Sequence, residues 1–312
     1  MVPSLRTGGR GRLPDFVIVG AMKAGTTSLW HYLRRHPQLF MTEPKEPQFF
    51  SRDHVYERGM DWYRRLFEDA AAGQRCGEAS TCYSRYPTYP NAAARLSRAV
   101  PDAKLLYILR HPVDRLYSHY VHEMEWRFLR GNRSFPTFEA FAQEDEEARC
   151  ASRYSLQIEH FLEYFSLDQL HVAILDDIKK RPGETLAGIQ EFLEVPVIDL
   201  VHGVPAWVNS STERARDHVP KRVARKTLGE IHRLPGVRGV LACLPSPLRR
   251  KARQGGTRLA ALLPRARDSG RRFAALLSPL SADVRSVLCR EYADQAGEIG
   301  ELIGRPLPQW LE

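Results

Sequence analysis

The chain of 312 residues lacks the features of several protein classes. It has no apolar run long enough to span a bilayer, and residues 1–12 are polar and basic, without the apolar stretch of a signal peptide. Its five cysteines include no C-x-x-C pair, so neither a disulfide scaffold nor a cysteine-based metal site is indicated. We therefore expect a cytoplasmic protein with free thiols.

Positive charge, in contrast, is in excess. The chain has 46 Lys and Arg against 37 Asp and Glu, a formal net charge of +9, and 43% of its residues are hydrophobic, enough for a large core. Strand and helix patterns alternate without an obvious linker, which predicts a single α/β domain over residues 1–312. The charge favours an anionic ligand, but by itself it would equally suit nucleic acid.

A glycine loop is the most informative segment. The apolar residues 16–19 are followed by GAMKAGTTS at residues 20–28, which opens an amphipathic stretch. A strand, a glycine loop and a helix N-terminus commonly bind phosphate. A nucleoside-triphosphate loop has its lysine directly after the second glycine, whereas here that position is Thr26 and the lysine is Lys23. We predict that backbone N–H groups, hydroxyls and one ammonium of this loop bind an anion. They belong to Lys23, Ala24, Gly25, Thr26, Thr27 and Ser28.

A second segment places a cation beside the same ligand. KLLYIL at residues 104–109 predicts a buried strand, and helical spacing begins at Val113. Arg110 would then lie at the carboxyl end of the strand and Ser118 about two turns into the helix. Open α/β sheets bind ligands at this edge.

In these segments the chain resembles the sulfotransferases that use 3′-phosphoadenylyl sulfate (PAPS) as donor. A third segment, PKEPQFF at residues 44–50, is similar to the K-E-x-x-F-F element of the heparan sulfate and related carbohydrate sulfotransferases. The likeness extends over residues 14–212 and 281–312. It implies a P-loop-like α/β fold of three layers, in which helices flank a central, mainly parallel sheet.

The resemblance also implies how the donor binds. Residues 23–28 are similar to the family's 5′-phosphosulfate loop, and Arg110 with Ser118 resembles its 3′-phosphate site. The product would be 3′-phosphoadenosine 5′-phosphate (PAP). We expect no metal, because Lys23 and Arg110 provide the charge that Mg²⁺ supplies in nucleoside triphosphatases.

Sulfuryl transfer requires a base for the acceptor and a cation for the leaving group. Glu46, held in a non-helical segment between Pro44 and Pro47, is the first candidate for the base. The glutamate of this element is the proposed base in the enzymes that the chain resembles. The alternative is a solvated glutamate or an ion pair with Lys45. Lys23 is assigned to the donor's sulfate and bridging oxygen.

His122 is a second catalytic candidate. It lies four residues after Ser118 and so shares a helix face with it. The N-sulfotransferase branch has a histidine at the matching place that is implicated in catalysis. A packed or surface histidine is the alternative.

The acceptor is less well defined. We expect a hydroxyl acceptor rather than an amine, only because hydroxyl acceptors are more numerous. The hydroxyl would belong to a carbohydrate, a lipid-linked molecule or a small molecule. Polysaccharide enzymes commonly have Glu-Lys-Ser where this chain has Glu78, Ala79 and Ser80, which weakens the case for a heparan-like acceptor. Glu78 would either contact the acceptor or form a structural hydrogen bond. Residues 221–280 would form a basic helical insertion, either an acceptor lid or a peripheral membrane contact.

Two other functions remain open on the sequence. A P-loop kinase for a small alcohol would need a Gly-Lys-Ser/Thr step and a metal carboxylate, for which Asp176 and Asp177 are available. A non-catalytic binder of an anionic polymer or membrane would use residues 221–280. Animal relatives are typically anchored in the Golgi, so the missing anchor leads us to expect a bacterial, cytosolic member that binds no nucleic acid. The oligomeric state stays open.

Overall fold

The structure, a computed structural model, describes residues 11–202 and 264–312. Its centre is a parallel sheet with the strand order β2-β3-β1-β4-β5. The strands are β1 (Phe16–Gly20), β2 (Leu39–Met41), β3 (Arg75–Ala79), β4 (Lys104–Leu109) and β5 (Leu170–Ile174).

The central strands form because their residues are apolar without alternation. All five residues of β1 are buried, and in β4 only Lys104, at its start, is not fully buried. A strand that buries every side chain needs cover on both faces, which is the usual state of a parallel sheet. The predicted three-layer α/β fold is confirmed.

Helices connect the strands and flank the sheet. Pro112 begins the longest of the described helices; proline is favoured at a first helical position because its missing N–H has no partner there. The helices are α1 (Thr26–Leu33), α2 (Asp53–Tyr56), α3 (Met60–Arg65), α4 (Ala92–Ala99), α5 (Pro112–Leu129), α6 (Phe138–Glu144), α7 (Glu146–Cys150), α8 (Tyr154–Leu162), α9 (Leu175–Lys180), α10 (Pro182–Phe192), α11 (Pro264–Leu276), α12 (Ala282–Glu291) and α13 (Ala293–Leu302).

The described residues divide into two compact units. The first contains the sheet and comprises residues 11–116, 145–202 and 282–312, and the second comprises residues 117–144 and 264–281. In the first unit the fully buried Trp310 packs against Tyr154, with ring centroids 5.6 Å apart. The single domain over residues 1–312 stays a prediction.

The second unit has its own aromatic cluster. Phe273 of α11 is fully buried, and its ring centroid lies 5.4 Å from that of Phe128 and 6.1 Å from that of Phe135. The Tyr117 hydroxyl donates to the carbonyl of Ser278 at 3.1 Å. The described part of the predicted insertion is therefore a helix packed on its own unit, while residues 221–263 lie outside the described residues.

Within residues 11–202 and 264–312, no helix combines the length and apolar character needed to cross a bilayer. The cytoplasmic location, like the membrane contact through residues 221–280, stays a prediction.

Candidate active site

Segments that follow four neighbouring strands meet at the carboxyl edge of the sheet. Lys23 follows β1, Glu46 follows β2, Thr81 follows β3 and Arg110 follows β4. These strands are parallel and adjacent, so the chain leaves all of them on the same edge. The site is therefore assembled from segments that are far apart in sequence.

The glycine loop ends at the N-terminus of α1. Gly25 is the N-cap with φ 94°, and Lys23 is also left-handed, with φ 70°. Left-handed residues in such a loop turn successive N–H groups towards a common point, and the helix adds partial positive charge there. Thr26 is buried, Ser28 is half-buried and Thr27 is exposed. The loop thus offers accessible hydroxyls and an ammonium beside a helix N-terminus.

Close packing fixes the start of the loop. A Cβ added to Gly20 would lie 1.9 Å from Ser84 Oγ and 2.9 Å from Tyr107 Cε2, so only glycine fits. The backbone N–H of Ala21 donates to the carbonyl of Ile108 at 2.8 Å. The loop is therefore joined directly to β4 and to the segment after β3.

Arg110 contacts this loop. Its Nη1 donates to the carbonyl oxygen of Lys23 at 3.4 Å, and the Tyr154 hydroxyl donates to the Arg110 carbonyl at 2.7 Å. Burial lowers the pKa of the Arg110 guanidinium, and the charges of Asp114 and Asp176 oppose this effect. Arginine stays protonated in proteins, so a second cation stands beside the loop. The structure places Arg110 beside the Lys23 loop, and donor binding by both residues stays a prediction.

Glu46 is held through both carboxylate oxygens. Oε1 accepts from Lys45 Nζ at 2.8 Å, while Oε2 accepts from Thr81 Oγ1 at 3.0 Å and from the Thr81 N–H at 3.4 Å. The Glu46 side chain is 26% exposed. The ion pair with Lys45, considered as an alternative to catalysis, is present, but it leaves the carboxylate oriented and accessible.

Glu78 is enclosed by hydroxyl groups. Its side chain is fully buried and accepts from the hydroxyls of Tyr63 at 2.9 Å, Tyr83 at 2.7 Å and Ser80 at 2.8 Å. Burial raises the pKa of Glu78 to about 7, against the effect of these hydrogen bonds. Of the two roles considered for Glu78, contact with the acceptor or structural hydrogen bonding, the structure shows structural hydrogen bonds. The next residue, Ala79, is fully buried as well.

Sequence reasoning missed Thr81 and a basic group that surrounds Tyr89. The guanidinium of Arg52 lies 4.9 Å from the Tyr89 ring centroid and that of Arg85 lies 5.5 Å from it. Arg85 also pairs with Glu147, and burial lowers its pKa. The three residues are widely spaced in sequence, so no local pattern signals this group. For Thr81, the signal was a pair of hydroxyl residues directly after a strand.

Ser118 and His122 lie on the part of α5 that belongs to the second unit. Ser118 is buried, and Nδ1 of His122 is 3.9 Å from Oε2 of the buried Glu125. Their spacing places them on one face of the helix, as expected. Donor binding by Ser118 and catalysis by His122 stay predictions.

The carboxylates that a kinase would use are ion-paired. Asp176 Oδ1 lies 3.3 Å from Lys179 Nζ, and Asp177 pairs with Arg181 and Arg305. Cations of the protein thus occupy the groups that would have to bind a metal. This arrangement disfavours the kinase.

Comparison with known proteins identifies the family. Residues 13–218 match the family model described as a sulfotransferase domain. The chain belongs to the sulfotransferase domain family. The predicted membership is thereby confirmed, while a bacterial origin stays a prediction.

Among curated proteins, this sulfotransferase-family chain is 32% identical over 193 residues to human heparan sulfate glucosamine 3-O-sulfotransferase 6, covering 59% of this chain and 53% of that protein. It is 27% identical over 319 residues to human bifunctional heparan sulfate N-deacetylase/N-sulfotransferase 3, covering 96% of this chain and 31% of that protein. It is 25% identical over 276 residues to the membrane-associated sulfotransferase kil1 of Dictyostelium discoideum, covering 60% of this chain and 57% of that protein. The chain thus spans less than two thirds of the length of these relatives.

One solved structure shares the fold over almost the whole chain. The sulfotransferase from Alicyclobacillus acidocaldarius superimposes with a TM-score of 0.62 at 24% identity, covering 96% of this chain and 100% of that one. This likeness supports the fold assignment.

Proposed function

We propose that this chain transfers the sulfuryl group of PAPS to a hydroxyl group of a carbohydrate acceptor. One observation carries the proposal: the Lys23 loop contacts Arg110 at the sheet edge where Thr81 holds the Glu46 carboxylate. Transfer of the sulfuryl group requires a base for the acceptor and a cation for the leaving group, and a second cation suits the donor's other phosphate.

The loop residues fit the donor. PAPS carries a phosphosulfate and a separate 3′-phosphate, and the loop offers a helix N-terminus, the Lys23 ammonium and the hydroxyls of Thr27 and Ser28. Arg110 adds a bidentate cation, suited to a phosphate. The roles of Ser118 in donor binding and of His122 as a second base rest on the sequence resemblance alone.

In the proposed reaction, an acceptor oxygen attacks the sulfur of PAPS. A bond forms between that oxygen and sulfur while the bond from sulfur to the bridging phosphate oxygen breaks, which releases PAP. Glu46 takes the acceptor's proton, and Lys23 stabilises the charge that develops on the bridging oxygen. Each carboxylate oxygen can accept more than one hydrogen bond, so the acceptor can bind Glu46 beside Thr81.

A carbohydrate acceptor is supported by the names of the relatives, which act on heparan sulfate. Where the resemblance to polysaccharide sulfotransferases implies a lysine, this chain has the buried Ala79, so an anionic glycan would need other cations. Arg52 lies beside the segment that carries Glu46, since its Nε donates to Gln48 Oε1 at 3.3 Å, whereas Lys45 and Arg85 already pair with Glu46 and Glu147. Lipid-linked and small-molecule acceptors remain alternatives.

Calorimetric titration with PAP, and with ATP in the presence and absence of Mg²⁺, tests the donor assignment. We expect PAP to bind without a metal and Arg110→Ala to weaken its Kd at least tenfold. Arg98→Ala, an equal change of charge on the exposed surface of α4, should leave the Kd unchanged. Preference for ATP with Mg²⁺ would favour the kinase, and binding of neither nucleotide would refute the proposal.

A further inference from the structure

The proposed reaction gives no role to the buried carboxylate of Glu78. Ionised carboxylates are costly to bury, and a neutral side chain would fill the same space without that cost. Glu78 nevertheless accepts hydrogen bonds from three hydroxyls. These hydrogen bonds continue outwards from the carboxylate.

Two of the hydroxyls are also bound to the backbone of residues 44–50. The N–H of Gln48 donates to Ser80 Oγ at 2.9 Å, and the N–H of Phe50 donates to the Tyr83 hydroxyl at 3.3 Å. A backbone N–H can only donate, so each hydroxyl accepts from it and gives its own proton to Glu78. Glu78 is the common acceptor at which both chains of hydrogen bonds end.

These hydrogen bonds hold a backbone conformation that is unfavourable by itself. Gln48 has φ 56°, in the left-handed region that residues with a Cβ rarely adopt. Such a conformation persists where the surroundings over-determine it. Glu46 lies two residues before Gln48, and its carboxylate is bound by Thr81, the neighbour of Ser80.

We propose that Glu78 is a positioning residue: by accepting the protons of Ser80 and Tyr83 it fixes residues 44–50 and so orients the Glu46 carboxylate. The inference rests on the proposed function, in which Glu46 is the base. Without a terminal acceptor the two hydroxyls can rotate, and the backbone N–H groups they bind lose a defined partner. A small displacement of a catalytic group is costly, since about 1 Å can reduce a rate about 100-fold.

The protein contains a matched pair of tyrosines for the test. Tyr63 and Tyr83 are both buried, and both donate to Oε1 of Glu78. Only Tyr83 also accepts from the backbone of residues 44–50. Tyr83→Phe and Tyr63→Phe therefore each remove one hydrogen bond to Oε1 of Glu78. Only Tyr83→Phe also removes a hydrogen bond to the segment that carries Glu46.

Three quantities are measured for both variants: amide hydrogen exchange at Phe50, the Kd for PAP, and kcat and KM with PAPS and heparan sulfate as the acceptor probe. We expect Tyr83→Phe to speed exchange at Phe50 and to lower kcat about 10- to 100-fold, with the Kd for PAP and the KM for PAPS unchanged. Tyr63→Phe should stay within about threefold of the wild type in each quantity.

Equal exchange at Phe50 in the two variants would overturn the inference, as would equal kcat values. If Tyr83→Phe does not fold, Ser80→Ala supplies the same comparison through exchange at Gln48. The proposed function fails if the wild type binds no PAP, whereas absence of transfer to heparan sulfate excludes only that acceptor; in either case, faster exchange at Phe50 in Glu78→Gln than in Tyr63→Phe still decides whether Glu78 fixes residues 44–50.

Discussion

Replacing Glu78 with Gln should remove a pH dependence of stability that burial creates. The unfolded chain has the ordinary glutamate pKa of 4.5, while burial raises the pKa in the folded protein to about 7. A group with a raised pKa contributes stability that is fully present below the unfolded value and is lost as pH rises through the folded value. One pKa unit corresponds to about 1.4 kcal/mol, so the full effect is about 3 kcal/mol.

The assay is urea unfolding followed by tryptophan fluorescence between pH 5 and pH 8, for the wild type and for Glu78→Gln. The free energy of unfolding of the wild type, minus that of the variant, should fall by about 2–3 kcal/mol over this range. Taking the difference between the two proteins cancels the titration of their other groups.

Glu194→Gln is the control. A hydrogen bond and the charge of Lys104 lower the pKa of Glu194, so it is mostly ionised in both the folded and the unfolded state between pH 5 and pH 8. Its difference from the wild type should therefore change much less over this range than that of Glu78→Gln. If the difference for Glu78→Gln changed as little, burial would not have raised the pKa of Glu78, and the reasoning would be refuted.

Three further changes probe the proposed site. Lys23→Ala should lower kcat about 100-fold or more and weaken PAP binding, because it removes the cation assigned to the leaving group; steady-state kinetics and calorimetry would check this. Glu46→Gln should slow transfer about 100- to 10,000-fold with the Kd for PAP unchanged, and wild-type turnover by this variant would exclude Glu46 as the base. Gly20→Ala should destabilise the protein by about 1–3 kcal/mol in urea unfolding, because its Cβ meets Ser84 Oγ at 1.9 Å; adding Ser84→Ala should recover part of the loss, and simple additivity of the two changes would contradict the predicted clash.

Local sequence determined the parts of the site that depend on neighbouring residues. The predicted strand over residues 104–109 is β4, because an uninterrupted apolar run fits a buried parallel strand. The loop after β1 was predictable because glycine, lysine and hydroxyl residues follow a strand within a few positions. Arg110 could be placed at the carboxyl end of β4 for the same reason.

Tertiary structure alone decided which of these segments meet. The sheet order places β3 between β2 and β1, and this brings Thr81 to Glu46 across 35 residues of sequence. The same pairing encloses Glu78 among hydroxyls of Tyr63, Ser80 and Tyr83. Strand order and side-chain burial arise from contacts between distant residues, and such contacts leave no periodic pattern along the chain. The sequence therefore identified the family and predicted which residues bind the donor, while the fold determined which residues hold the Glu46 carboxylate.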